Sequence, residues 1–190
     1  VFFRFSIEIG RFSVLAGKDA IDCKDSYGFT VNRFFVPWLN ESVKLLQEGV
    51  AAKEEIDLVC RKVFGIGMGP FALMNATGIP IAYHAEKTME RFGKLYEVAE
   101  ALRVQAESGN PWKMETGPFE TVDPAREKII SDRMLGLVFY VCSQILEERV
   151  SSALHLNRGA RIGLRWNNGP VDLMKTAGEE KVNSLVTMIA

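Results

Sequence analysis

The sequence predicts an all-α fold in which one helical unit occurs twice, and three observations carry that expectation. The chain aligns with itself at an offset of one hundred residues without a gap. Arg33, Leu46, Glu48, Val50, Arg61, Gly69, Pro70, Leu73, Met74 and Gly78 recur as Arg133, Leu146, Glu148, Val150, Arg161, Gly169, Pro170, Leu173, Met174 and Gly178. Those are ten identities over 46 aligned positions, where unrelated sequence of ordinary composition gives about three. From Val31 onward the apolar residues recur with a helical period rather than by alternation. Glycine and proline stand where helices stop and start.

Residues before Val31 are aromatic and glycine-punctuated. Val14 to Gly17 and Ala20 to Cys23 read as short extended segments joined by the turn Gly17-Lys18-Asp19. Val31, Phe34, Phe35, Trp38, Leu39, Val43 and Leu46 then mark the apolar face of a first long helix. Pro37 lies inside it and is expected to bend the axis rather than end it. A second helix runs from Lys53 to about Val63, with Glu54 and Glu55 in the first turn, where the helix dipole favours them. Gly65 to Gly69 is a flexible turn, and Pro70 opens a short helix that stops at Gly78. Pro80 opens another helix that runs to about Glu107. Residues 109–123 are linker-like, with glycine, proline and threonine and no apolar period. Asp123-Pro124 starts a long helix reaching about Ser152, after which the second copy replays short helix, glycine turn and Gly-Pro helix. The domain reading is therefore 1–24 as a remnant or linker, 25–110 as a first helical repeat, 111–123 as a linker, and 124–190 as a second, degenerate repeat.

At 190 residues the chain can bury a substantial core. Its 47% apolar and 25% charged content is that of a soluble globular protein. A net charge of −1 with no basic run longer than a pair argues against nucleic-acid binding. The longest apolar stretch, Leu135 to Leu146, is too short to span a bilayer and reads as a buried core helix, so no membrane is expected. Arg4, Glu8 and Arg11 interrupt the apolar residues near Val1, unlike a signal peptide. Cys23, Cys60 and Cys142 are odd in number and far apart, which suits a reduced, cytoplasmic setting. The chain opens at Val1 and closes at Ala190 inside a helical pattern, which reads as a piece of a longer polypeptide.

His84 and His155 stand apart from any carboxylate or cysteine at ligand spacing, which gives no metal signature. Gly65-Ile66-Gly67-Met68-Gly69 follows a helix and precedes a proline, whereas a dinucleotide fingerprint follows a strand and opens a helix. It reads as a docking turn. The segment Asp25-Ser26-Tyr27-Gly28-Phe29-Thr30-Val31-Asn32-Arg33 is the most informative one. Asn32 is a neutral amide at the opening of an apolar helix. It serves either as a cap or satisfied buried amide, or as a hydrogen-bonding group for a substrate carbonyl or hydroxyl. One hundred residues on, position 132 is aspartate and no Gly-Phe precedes it.

These residues resemble a known family. Asp25 to Arg33, Pro37, Asn40-Glu41, Gly49, Ile56-Asp57, and Met68-Gly69-Pro70-Phe71 with Leu73 together look like the C-terminal domain of 3-hydroxyacyl-CoA dehydrogenases. The likeness covers about residues 20–110, and through the repeat extends more weakly over 133–178. Tyr27 departs from the proline usual before Gly28. The resemblance implies the 6-phosphogluconate dehydrogenase C-terminal-like helical fold, here in tandem copies packed as a pseudo-dimer. It also implies the oxidation of 3-hydroxyacyl-CoA to 3-oxoacyl-CoA in fatty-acid β-oxidation. NAD and a catalytic His–Glu pair would belong to an N-terminal Rossmann domain of the same polypeptide, not to these residues. The implied site residues are Asn32, which orients the substrate oxygen, and Met68 and Pro70, from a loop lining the acyl pocket. Tandem copies resemble the multifunctional β-oxidation proteins, some of which carry a fused enoyl-CoA hydratase domain. The implied partners are acyl-CoA, the Rossmann domain and, as a homo-oligomer, further copies of the chain.

Two other readings compete. One is a stand-alone, non-enzymatic helical module for dimerisation or acyl binding. The other is the related helical domain of a dehydrogenase for free hydroxy acids, against which the Asp25–Arg33 motif argues.

Overall fold

Two long helices packed against each other form the axis of the molecule, and the shorter helices are arranged around them. A computed structural model describes residues 10, 12–115, 117 and 121–190. The long helices are α1 (Val31–Gln47) and α6 (Pro124–Glu147). α1 is followed by α2 (Lys53–Phe64), α3 (Pro70–Thr77), α4 (Ile79–Met89) and α5 (Glu100–Ser108). α6 is followed by α7 (Ala153–Arg158), α8 (Pro170–Ala177) and α9 (Glu179–Ile189), with a π-turn at Gly159–Gly163 after α7. Among the described residues there is no strand, only one isolated antiparallel bridge between Cys23 and Ser151. The fold is all-α.

Equivalent elements recur one hundred residues apart. α3 and α8 share their bounds, as do α4 and α9. α2 packs on α6, and the π-turn after α7 packs on α1. Ion pairs cross between the units in both directions. The Arg33 guanidinium donates to both Glu148 oxygens at 2.6 Å, and Arg133 donates to Glu48 at 2.8 and 3.2 Å. Gly49 (φ 71°) and Gly65 (φ 63°) have Arg149 (φ 55°) and Arg165 (φ 57°) as counterparts. Positions 149 and 165 thus make the same left-handed turns as 49 and 65, with an arginine where glycine adopts them without strain.

Burial explains why the long helices pair. Phe34, Trp38 and Val43 of α1 and Met134, Val138, Phe139 and Cys142 of α6 are fully enclosed. Trp166 of the second unit enters the first unit's aromatic cluster, 4.4 Å from the Phe64 ring centre and 5.6 Å from that of Phe34. By length and composition α6 is able to cross a membrane, but half of its most apolar window is buried within the protein, as in a core helix. Pro37 sits inside α1 without ending it.

Three local expectations change. The helix expected from Pro80 to about Glu107 is broken after Met89 by two 3-10 turns, Glu90–Phe92 and Lys94–Tyr96, around Gly93 at φ 115°. Asn40 of α1 replaces the lost helical bonds: its oxygen accepts the Ala99 N–H at 2.9 Å and its amide donates to the Glu97 carbonyl at 2.9 Å. The helix expected to reach about Ser152 ends at Glu147, because Glu148 turns to Arg33 and Arg149 takes the left-handed conformation. Phe12 to Leu15 form a helical turn rather than an extended segment, while Cys23 is extended only as far as its single bridge.

The linker-like residues after Asn110 are pinned to the first unit. Trp112 N–H donates to the Asn75 side chain at 2.7 Å, which donates back to the Trp112 carbonyl at 2.9 Å, and the Glu115 N–H donates to Glu54 at 2.7 Å. The expectations for Arg4, Glu8, Arg11 and the rest of 1–9 lie outside the described residues, as do residues 116 and 118–120 of the linker.

Candidate functional site

The motif from Asp25 to Arg33 folds as a tight loop running into α1. Gly28 adopts φ 75°, and a Cβ there would lie 2.5 Å from the Met89 methyl and 2.8 Å from the Arg33 nitrogen, so no side chain fits. Its carbonyl accepts the Arg33 N–H at 3.2 Å. Phe29 follows at φ 50° with its ring exposed. The Arg91 guanidinium lies over the Tyr27 ring at 3.7 Å, and Arg33 lies over Phe92 at 4.2 Å. Arg33, in the middle of an apolar face, is therefore a tie between the units. Burial opposes its charge, and the Glu148 carboxylate more than restores it, so its pKa is raised. In return the Arg33 hydrogen bonds hold the Glu148 carboxyl below the usual range.

Asn32 projects from the first turn of α1 and is exposed. It lines a cleft of about 330 Å³ together with Ile21, Cys23, Gly28, Phe29, Thr30 and Val31. The helix-cap position is Thr30, with no side-chain cap bond. Asn32 is thus neither a cap nor a satisfied buried amide, which removes both structural alternatives for it. The Val31 and Asn32 N–H groups have no protein acceptor among the described residues, and the buried Thr30 hydroxyl has no partner. The cleft combines apolar walls with unused donors at a helix N-terminus, where partial positive charge favours an oxygen ligand.

The second unit has nothing comparable at that position. Asp132 is held by Lys128 at 2.6 Å and Lys181 at 2.7 Å. Its carboxyl stays below the usual range: burial works against the charge, and the two lysines outweigh it.

The Met68–Pro70 turn is built separately. Pro70 is buried as the first residue of α3, and the Asp57 carboxylate accepts the Phe71 and Ala72 N–H groups at 2.8 and 2.9 Å. Burial raises the Asp57 pKa to about 6, against those two hydrogen bonds. Asn157 repeats the capping in the second unit, accepting the Val171 N–H at 2.9 Å. Met68 is exposed, and neither Met68 nor Pro70 is among the residues lining the Asn32 cleft.

Two of the three glycines of this turn are taken up by packing within the protein. A Cβ at Gly65 would lie 2.4 Å from the Asn167 side chain, and one at Gly69 would lie 2.4 Å from Asp57. Both serve close packing within the protein, and they follow α2 rather than a strand.

Sequence reasoning missed the part played by residues 19–24 in this cleft. Ile21 and Cys23 form part of its wall, and the contacts that hold them come from the second unit. Nothing local in Ala20 to Cys23 signals a partner so distant in the chain.

Comparison with known proteins places this geometry in context. Residues 28–113 match the family model of the 3-hydroxyacyl-CoA dehydrogenase C-terminal domain. A stretch of 68 residues, 36% of the chain, is 46% identical to the mitochondrial hydroxyacyl-coenzyme A dehydrogenase of Sus scrofa and covers 22% of that protein. The Clostridioides difficile 3-hydroxybutyryl-CoA dehydrogenase is 41% identical over 64 residues, which are 34% of the chain and 23% of that protein. The chain thus spans less than a quarter of the length of these relatives. The crystal structure of 3-hydroxybutyryl-CoA dehydrogenase from Escherichia coli superposes with a TM-score of 0.82 at 15% identity, covering 95% of the chain and 59% of that protein. That likeness concerns the fold, and it takes in the second unit as well as the first.

Proposed function

We propose that this chain is the acyl-CoA-facing, C-terminal helical region of an NAD-dependent 3-hydroxyacyl-CoA dehydrogenase. In that reading it contributes to the oxidation of 3-hydroxyacyl-CoA to 3-oxoacyl-CoA. The observation that carries the reading is Asn32. It lies within the stretch matched by the family model, yet it is exposed, unpartnered and set at the mouth of a cleft. Its amide donates a hydrogen bond to the substrate's C3 oxygen, holding it for a catalytic base supplied by another domain. Hydrogen bonds aimed at a reacting oxygen contribute on the order of a few kcal/mol in the transition state. NAD is assigned to a Rossmann domain of the same polypeptide, since the glycine turn here follows a helix rather than a strand and Gly65 and Gly69 pack against Asn167 and Asp57. Met68 and Pro70 remain candidates for an acyl-pocket loop, Met68 through its exposure. The same reading extends to a cytoplasmic setting, with no nucleic acid and no membrane. A fused enoyl-CoA hydratase domain and association of further copies belong to it as well.

The two helical units are, on this reading, tandem copies clasped as an internal pseudo-dimer. The crossed Arg33–Glu148 and Arg133–Glu48 pairs and the matching helix bounds support it. A twofold-like interface makes each contact twice, once from each side. The second copy then needs packing residues and not the amide, which fits Asp132 locked between two lysines.

The test is steady-state kinetics of the intact polypeptide with 3-hydroxybutyryl-CoA. Asn32→Ala is expected to lower kcat by about 10²-fold, with unfolding unchanged because the side chain is exposed. Unchanged turnover would remove the assignment. Calorimetry of the 190-residue chain should give no saturable NAD binding.

A further inference from the structure

The wall of the Asn32 cleft is not built by the first unit alone. Residues 19–24 lie across the second unit, held by a series of contacts. Lys24 N–H donates to the Val150 carbonyl at 2.8 Å, the Ser151 hydroxyl donates to the Asp22 carbonyl at 3.1 Å, and Arg158 pairs with Asp19. His155 Nδ1 faces both the Asp22 N–H at 3.2 Å and the Asp22 carbonyl at 3.0 Å, accepting from one or donating to the other according to tautomer. Beside them, a Cβ on Gly159 would lie 2.6 Å from Val31 and 2.9 Å from Ile21, two of the cleft's own lining residues.

The repeat provides an internal control. The position matching Gly159 is Val59, a fully buried core residue, and the position matching His155 is Glu55, which accepts the Ala52 N–H and pairs with Arg126. The helix that is regular in the first unit also widens into a π-turn at Gly159–Gly163 in the second. π-turns inside helices are rare and occur frequently at functional sites. The second unit therefore departs from the first where residues 19–24 and the start of α1 rest on it.

We propose that residues 19–24 act as a strap through which the second helical unit sets the wall of the Asn32 cleft, with His155 and Gly159 as positioning residues. The second unit, which lacks an Asn32 of its own, thereby becomes part of the first unit's site. This rests on the dehydrogenase reading for the identity of the ligand, an acyl-CoA whose oxygen-bearing end lies against Ile21 and Cys23, but the strap itself is testable without any ligand.

Cys23 supplies the readout. It is half-buried in the strap, whereas Cys60 and Cys142 are fully buried, so iodoacetamide should modify Cys23 alone in the folded 190-residue chain. His155→Ala is expected to raise its alkylation rate by about tenfold, because the strap opens locally without unfolding. His155→Asn, which keeps a hydrogen-bonding group near the Nδ1 position, should restore a rate near the original. Rates within about twofold for His155→Ala would overturn the strap. In the intact polypeptide, His155→Ala should lower kcat/KM for 3-hydroxybutyryl-CoA by about tenfold, mainly through KM, with rescue by His155→Asn. A loosened strap with unchanged kcat/KM would overturn the positioning role. Absence of turnover by the unaltered protein would sink the dehydrogenase reading, and the alkylation contrast would still decide the strap.

Discussion

Removing Glu148 should cost far more than removing its counterpart Glu48, although both carboxylates are about equally exposed. The asymmetry lies in the arginines. Arg33 is 1% exposed and, among the described residues, has Glu148 as its one carboxylate partner, with the Phe92 ring 4.2 Å away and its Nε unpaired. Arg133 is 24% exposed and keeps a second partner, because its Nε donates to the buried Glu41 at 2.6 Å. Deleting one partner of a buried ion pair costs about 3–5 kcal/mol, mostly the penalty of stranding the remaining charge. Glu148 is 48% exposed, so water already shares the pair and the figure falls to about 2–3 kcal/mol for Glu148→Gln. For Glu48→Gln, Arg133 stays paired, and about 1 kcal/mol or less is expected. Urea unfolding at pH 7, followed by circular dichroism and by fluorescence of the buried Trp38 and Trp166, measures both. In thermal melts of a chain this size, each kcal/mol corresponds to about 2–4 °C. Equal costs, or a loss below about 1 kcal/mol for Glu148→Gln, would refute the claim that Arg33 is a buried charge dependent on one partner. The pH dependence follows the same logic. Glu148 is held below its usual range by Arg33, so its contribution is full above the unfolded carboxylate range and is lost as pH falls through the lower folded value.

Two further buried carboxyls predict the opposite slope. Glu86 is fully buried with one oxygen unpartnered, and burial pushes its pKa up to about 8 despite Lys44 and the Asn40 hydrogen bond. The folded state therefore binds the proton more tightly than the unfolded chain, and stability should fall as pH rises from about 5 to 8. Glu86→Gln keeps the acceptor for Asn40 and should flatten that slope, stabilising the protein at pH 8 by on the order of 2–4 kcal/mol and little at pH 5; an unchanged slope in urea unfolding across this range would count against it. At Asp57, Asp57→Asn keeps one acceptor oxygen, as Asn157 does for Val171, and loses the second, so it should cost about 1 kcal/mol, whereas Asp57→Ala strands both N–H groups and should cost about 2 kcal/mol. Thermal melts of the two variants side by side decide it.

Much of the fold was legible because its signals are local. Pro70 and Pro170 start helices, Gly78 and Gly178 stop them, and Asp123 caps α6 with its own side chain. The errors fall where a distant residue replaces a local bond. The break after Met89 depends on Asn40, nearly fifty residues earlier, accepting and donating to the backbone at Ala99 and Glu97. The early end of α6 was hidden because Arg149, not a glycine such as Gly49 one hundred residues earlier, is held at positive φ next to a glutamate committed to Arg33. Of the residues lining the cleft, Asn32 was legible from its motif. Ile21 and Cys23 were not, since the contacts beside them come from Ser151, His155 and Gly159.

Read alone, the chain determined that helices form and where most begin and end, because caps, turns and apolar period act within a few residues of each other. Only the tertiary structure decided that Arg33 is tied to Glu148, that Asn32 is left free while Asp132 is neutralised, and that residues 19–24 rest on Ser151, His155 and Arg158. Those outcomes depend on burial and on partners from about fifty to more than one hundred residues apart, and a charge or amide settles its role only when the groups around it are in place.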